Sequence, residues 1–297
     1  MSSMSKREAV HTFLELRESD ENGEVGAGLS HSSEGLVLFH VAEIAADGEP
    51  RGVVTIVHDA GEHGSRYEAL AIVLADRGWA VALPDLRGHG KSEGERGHSA
   101  GLREVMRDLD EVQNHLAYRL PDAPKVLLGV GLGAAFAASY VAEDPGRVAA
   151  LVLAAPVFEP PFTEPPAKRG LSRFFGKEQP TDAGETGYSA ESISAEAAVG
   201  AAWESDPLIH TAISRRAAAE GCRATREHLS SANRIDIPQL VLQGKADALG
   251  SPELVGAWDG SGPKIIMFES AGHSLFHEAC AESACKSVAD WLDETLR

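Results

Sequence analysis

The sequence predicts an α/β fold: a mostly parallel sheet covered by helices on both faces, with an inserted helical cap. Three observations predict it. Short apolar runs alternate with segments of helical periodicity along most of the chain. A glycine-framed strand, turn and helix start stand in the middle, KVLLGVGLGAAFA at 125–137. The alternation breaks between 157 and 235 and then resumes. With 297 residues the chain is long enough for one α/β domain carrying an insertion.

Residues 1–34 are polar with Gly and Ser clusters and read as a leader holding at most one early strand or helical turn. GLVLFHVAEIA (35–45) alternates as a strand does, and RGVVTIVHD (51–59) is a short buried strand. RYEALAIVLADRG (66–78) has helical spacing and ends at Gly78, a residue suited to a helix C-terminus. WAVALPDL (79–86) is the next strand, followed by a glycine-punctuated loop. LREVMRDLDEVQNHLAYRL (102–120) is an amphipathic helix stopped by Pro121. KVLLGV (125–130) is a strand, LGAAFAASYVAEDP a small-residue helix, and VAALVLAAP (148–156) another strand. Residues 157–235 are rich in Pro, Gly and charge, with helical stretches SAEAAVGAAWE and HTAISRRAAAEG, and are read as the cap. PQLVLQGKAD (238–247), a short helix near 252–258, KIIMFESAGH (264–273) and a last helix complete the core, which thus comprises 35–156 and 236–297.

Composition narrows the function classes. A composition of 43% hydrophobic and 24% charged residues is that of a globular protein. The 27 basic residues are outweighed by 45 acidic ones, giving a net charge of −18. Nucleic acid is therefore not an expected partner, and anionic membrane surfaces are disfavoured for the same reason. No apolar run approaches the roughly 18 residues of a membrane span. The N-terminus has no apolar segment of the signal-peptide kind, so a cytoplasmic protein is expected. Cys222, Cys280 and Cys285 form no CxxC pair, which argues against a disulfide framework and a zinc site. No cofactor and no metal are called for.

Three points of the chain carry chemistry, each where a strand ends. Open α/β sheets place their ligand crevice outside the carboxyl ends of the strands. The first is Gly129-Val130-Gly131-Leu132-Gly133, the frame of a G-x-S-x-G nucleophile elbow with glycine at the serine position. The second is Asp247 in LQGKAD, and the third is His273 in SAGHS. Taken singly, these are a turn, a cap residue and a loop histidine. In the order elbow, Asp, His they match the chain order of α/β-hydrolases. In that reading the carboxylate fixes the imidazole tautomer and the imidazole is the general base.

VHDAGEHGSRYEALAIVLADRGWAVALPDLRGHGKSEGERG (57–97) resembles the opening half of monoacylglycerol lipases and related serine hydrolases. Their signatures are H-G-x-G-E-H-x-x-R-Y and R-G-H-G-x-S-x-G. ESDPLI (204–209), LVLQGKADALGSPE and FESAGHSLFHE resemble the family's cap, Asp and His regions, so the resemblance spans roughly residues 35 to 295. It implies that Asp247 and His273 are the acid and base of a triad. It also implies that the N–H groups of Ala60 and Leu132 form the oxyanion hole, and that the cap forms a pocket for a small-molecule acyl ester or fatty-acyl ligand. Arg87, Gly88, His89, Gly90 and Ser92 would shape a structural loop. His58, Glu62, His63 and Arg66 are read as structural, His277 as a packing or capping residue, and Cys222 as a buried thiol.

Two departures bear on activity. Gly131 has no side chain with which to attack a carbonyl, and Asp59 stands where the family has glycine. A carboxylate pointing into an oxyanion hole repels the charge that develops there. A single serine-to-glycine change matches an engineered knockout, whereas two departures better match natural drift. The leading expectation is a monoacylglycerol-lipase-like protein disabled at Gly131 that still binds an acyl-type ligand. The alternatives are slow hydrolysis by a water that His273 and Asp247 activate in the space the hydroxymethyl would fill, and a purely ligand-binding or scaffold role.

Overall fold

The computed structural model describes residues 7–17, 36–159, 183–230, 237–257 and 262–297. Its strands are β1 (Val10–Arg17), β2 (Leu36–Ile44), β3 (Gly52–Val57), β4 (Trp79–Pro84), β5 (Lys125–Val130), β6 (Ala150–Ala154), β7 (Ala183–Glu185), β8 (Ala212–Ser214), β9 (Gln239–Gly244) and β10 (Lys264–Phe268). Its α-helices are α1 (Glu68–Asp76), α2 (Leu102–Arg119), α3 (Leu132–Glu143), α4 (Ala190–Ile193), α5 (Ala197–Glu204), α6 (Arg215–Ser230), α7 (Pro252–Gly256) and α8 (Ala281–Thr295).

Eight strands make one sheet in the order β1-β2-β4-β3-β5-β6-β9-β10. The six from β4 to β10 run parallel, and β1 and β2 pair antiparallel at one edge. Every residue of β3, β6 and β9 is buried, as a parallel sheet covered on both faces requires. Alternation divides these strands between two cores. Val53, Val57, Leu127, Leu151 and Val241 face α2, α3 and α6. Val54, Ile56, Leu128, Val152 and Leu240 face α1 and α8. This is the α/β-hydrolase architecture.

Two segments differ from the sequence reading. Residues 10–17 of the polar leader are a full edge strand, in register from Val10 opposite Glu43 to Arg17 opposite Leu36. Leu16 supplies the reason, because it is buried in the core beneath β2. The rest of the leader lies outside the described residues, apart from 7–9. Within the cap reading, 160–182 and 231–235 lie outside them too. The described part of 157–235 is not wholly helical, because β7 and β8 pair antiparallel. HTAIS ends as strand rather than helix because Ile213 packs inward and Ser214 stands just before α6, its hydroxyl accepting from the Ala217 amide. The helix α6 then lies against α3 and α2.

Candidate active site

Four loops at the carboxyl ends of neighbouring strands build the site. They follow β3 (His58–His63), β5 (Gly131), β9 (Lys245–Gly250) and β10 (Glu269–Ser274). The turn after β5 is tight. Gly131 adopts φ 56°, ψ −119°, in the left-handed half of the map that glycine enters without strain. Gly133 lets α3 approach the end of β3, since a Cβ there would collide with the carbonyls of Val57 and His58.

Asp247 and His273 are in contact. Nδ1 of His273 lies 3.0 Å from both carboxylate oxygens of Asp247. The amides of Leu249 and Gly250 donate to Asp247 Oδ1 at 2.8 Å each, and Gln243 Nε2 donates to Oδ2 at 2.8 Å. These donors and the imidazole offset burial and hold the Asp247 carboxyl down at about 2. The His273 loop is fixed in turn by Glu278, whose carboxylate accepts from the Gly272 amide at 2.7 Å.

Asp59 decides what this dyad can do. Its side chain points inward and is 2% exposed. Oδ1 accepts from the amides of Ala60 and Leu132 at 2.7 Å each, which are the two groups expected to form an oxyanion hole. Oδ2 lies 2.9 Å from His273 Nε2. A Cβ placed on Gly131 would fall on the Asp59 carboxyl group, well inside the 3.0 Å that real Cβ atoms keep. Asp59 therefore fills the space above Gly131 and takes up both the Ala60 and Leu132 amides. The space expected to hold a water beside His273 is occupied by this carboxylate. His273 has a carboxylate at each ring nitrogen, and this raises its pKa well above the ordinary value despite burial. An imidazolium in this place donates to Asp247 through Nδ1 and to Asp59 through Nε2.

The residues read as structural hold the frame. His58 Nε2 accepts from the Leu86 amide at 2.9 Å, so its Nδ1 donates to the Asp59 carbonyl at 2.7 Å. Glu62 accepts from Arg66 and Tyr67, and His63 meets Asp206, just past α5, at 3.0 Å. Arg87 pairs with Asp108 on α2, His89 Nδ1 donates to the Arg87 carbonyl, and the Ser92 hydroxyl donates to the Asp85 carbonyl. His277 sits against Ser274 and the Arg66 carbonyl. Cys222 is buried in α6, and burial pushes its thiol up to about 12.

Sequence reasoning missed Tyr188, whose ring meets the His273 ring edge-on at a centroid distance of 6.0 Å. Nothing in its local sequence marks it. Gln243, four residues before Asp247 in LQGKAD, was legible only as a strand residue. A pocket opens beside Asp59, Ala60 and Leu132, with Leu86, Val105, Phe136, Ile213 and Ala217 in its lining. Among the described residues no helix is long and apolar enough to cross a membrane.

The chain is similar to known proteins along most of its length. The profile of the serine aminopeptidase S33 family (Hydrolase_4) matches residues 48–279, more than half of the chain. A monoacylglycerol lipase of Mycolicibacterium smegmatis is 28% identical over 251 residues, covering 83% of this chain and 89% of its own. A monoglyceride lipase of Rattus norvegicus is 29% identical, covering 84% of each chain. The crystal structure of Paleococcus ferrophilus monoacylglycerol lipase superposes with a TM-score of 0.73 at 26% identity, over 86% of this chain and 99% of that one.

Proposed function

Since the chain belongs to the serine aminopeptidase S33 family of α/β-hydrolases, we propose that it is a monoacylglycerol-lipase-like member that does not run serine acyl transfer. In this reading Gly131 marks the lost nucleophile, Asp247 and His273 are the retained acid and imidazole, and Ala60 and Leu132 are the oxyanion amides. The protein would keep an apolar cavity for an acyl-type ligand beneath the cap at 157–235. One observation carries the reading, namely that the Asp59 carboxylate accepts from both amides and from His273. A substrate carbonyl oxygen would have to displace a carboxylate that already has three donors. An acyl-enzyme has no side chain at 131 on which to form.

The test uses p-nitrophenyl esters and a fluorophosphonate probe on four proteins: the unchanged chain, Gly131→Ser, Asp59→Gly, and both changes together. The unchanged chain and each single variant should show negligible turnover and no labelling. Gly131→Ser alone is expected to fail because its Cβ meets the Asp59 carboxyl. The double variant should gain both activity and label. Strong labelling of any serine in the unchanged chain overturns the reading. Tryptophan quenching by fatty acids tests the ligand, and the absence of saturable binding removes that part.

A further inference from the structure

In ester hydrolysis on such a frame, two amides hold the carbonyl oxygen and an imidazole stands near the carbonyl carbon. Here the same amides hold Asp59 Oδ1 at 2.7 Å each, and His273 Nε2 lies 2.9 Å from Oδ2. The Asp59 carboxyl carbon thus occupies the position of a carbonyl under attack. We propose that Asp59 is itself a nucleophile, moved from the elbow to the loop after β3, which displaces halide from a short primary alkyl halide and is regenerated by hydrolysis of the aspartyl ester so formed. The inference shares with the preceding section only the premise that Asp59 stands in the nucleophile's place.

The carbon attacked is saturated for a chemical reason. Attack by a carboxylate on an acyl carbon exchanges an ester for a more reactive anhydride. Attack on a saturated carbon yields a stable alkyl ester, and the groups that hydrolyse esters already surround it. The leaving group departs on the side away from Oδ2, and the His273 N–H lies on the Oδ2 side. A weak base such as halide, which leaves without protonation, therefore fits. The alkyl group enters from the pocket that Asp59 lines, whose apolar lining includes Leu86, Leu132, Phe136 and Ile213.

The steps balance. A bond forms from Oδ2 to the alkyl carbon, and the carbon–halogen bond breaks with its electron pair leaving as halide. Asp59 is now a neutral ester, and one of the two charges that held the His273 proton is gone. The imidazole sheds that proton and becomes a base, still oriented by Asp247. Water attacks the Asp59 carboxyl carbon and gives its proton to His273 Nε2, while the amides of Ala60 and Leu132 hold the negative charge on Oδ1. The bond to the alkyl oxygen breaks, the alkoxide takes the proton back from His273, and alcohol leaves; the Asp59 carboxylic acid left behind then passes its proton to His273 Nε2, restoring carboxylate and imidazolium. The net change is alkyl halide plus water to alcohol, halide and a proton.

The experiment incubates the whole chain with 1-bromohexane in water enriched in heavy oxygen. Bromide release is followed, and the peptide containing Asp59 is weighed after many turnovers. Bromide release that exceeds an Asp59→Asn control, with heavy oxygen in the Asp59 carboxyl, is the expected result. His273→Gln should slow ester hydrolysis by about 100-fold or more, so that a hexyl group accumulates on Asp59. The isotope measurement needs no variant, so misfolding of either substitution leaves it valid. Alkylation confined to cysteines, or an Asp59 peptide of unchanged mass with no bromide released, overturns the proposal. Neither outcome bears on fluorophosphonate labelling, so the two readings fail separately.

Discussion

A side chain at position 131 would have to begin where the Asp59 carboxyl group ends, so the two positions act as a unit. Glycine at 131 meets two demands at once: a positive φ and an empty volume. Gly131→Ala should lower stability by about 2–4 kcal/mol, combining backbone strain with overpacking. In an Asp59→Gly background the cost should shrink toward the strain alone. A denaturant double-mutant cycle measures the difference, and additivity would contradict the coupling. His273 carries a second prediction. Its folded pKa is raised well above 6.5 by Asp247 and Asp59, so the folded protein holds that proton more tightly than the unfolded chain. The resulting stabilisation is complete below about pH 6.5 and fades as pH rises through the folded pKa. Denaturation midpoints should therefore fall on the alkaline side, and Asp59→Asn should move the onset to lower pH. NMR titration of the ring reads the same shift directly.

The loops are held by the elements beneath them. Arg87, at the start of the loop after β4, reaches α2, where its guanidinium makes two hydrogen bonds to the Asp108 carboxylate at 3.0 and 2.8 Å. Burial outweighs this partner and pushes the Asp108 carboxyl up to about 6. Arg87→Met leaves that carboxylate without its guanidinium and should cost about 3–5 kcal/mol in urea unfolding. Arg87→Met with Asp108→Leu should recover part of the loss, because one buried carboxylate is then gone while Glu104, 3.8 Å from the Arg87 guanidinium, still loses its partner. An unimproved double variant would mean that the pair does more than neutralise itself. At the sheet edge, β1 is tied by side chains as well as by its ladder. His11 Nδ1 lies 2.9 Å from His40 Nε2, and His40 Nδ1 lies 2.7 Å from Asp85 Oδ2. This chain of contacts explains why a polar leader contributes a strand.

Across the whole molecule, the loops depend on a few carboxylates held far below their ordinary range. Asp85 is held down to about 2 by His40 and by the amides of Lys91 and Gly64, against the pull of burial. Asp247 is held down to about 2 by His273 and its loop amides. Both have folded pKa values below the unfolded 3.8, so their stabilisation is full above that pH and is lost as pH falls toward 2. Acid unfolding should set in between these limits, and Asp85→Asn should flatten the slope there; an unchanged slope would show that other carboxylates govern it. Hydrophobic period and glycine punctuation determined the parallel sheet, its helices and the ends of its strands, because both are local properties. LQGKAD and SAGHS marked Asp247 and His273 for the same reason: each side chain stands just past a strand end. The edge strand at 10–17 and the β7–β8 pair depend on partners distant in sequence. So does the direction of Asp59. From the sequence it is a carboxylate of unknown aim, and only the approach of β3, β5 and β10 sets its oxygens against the Leu132 amide and the His273 ring. Hydrogen bonds between residues 73 and 214 positions apart exist only once the sheet has closed.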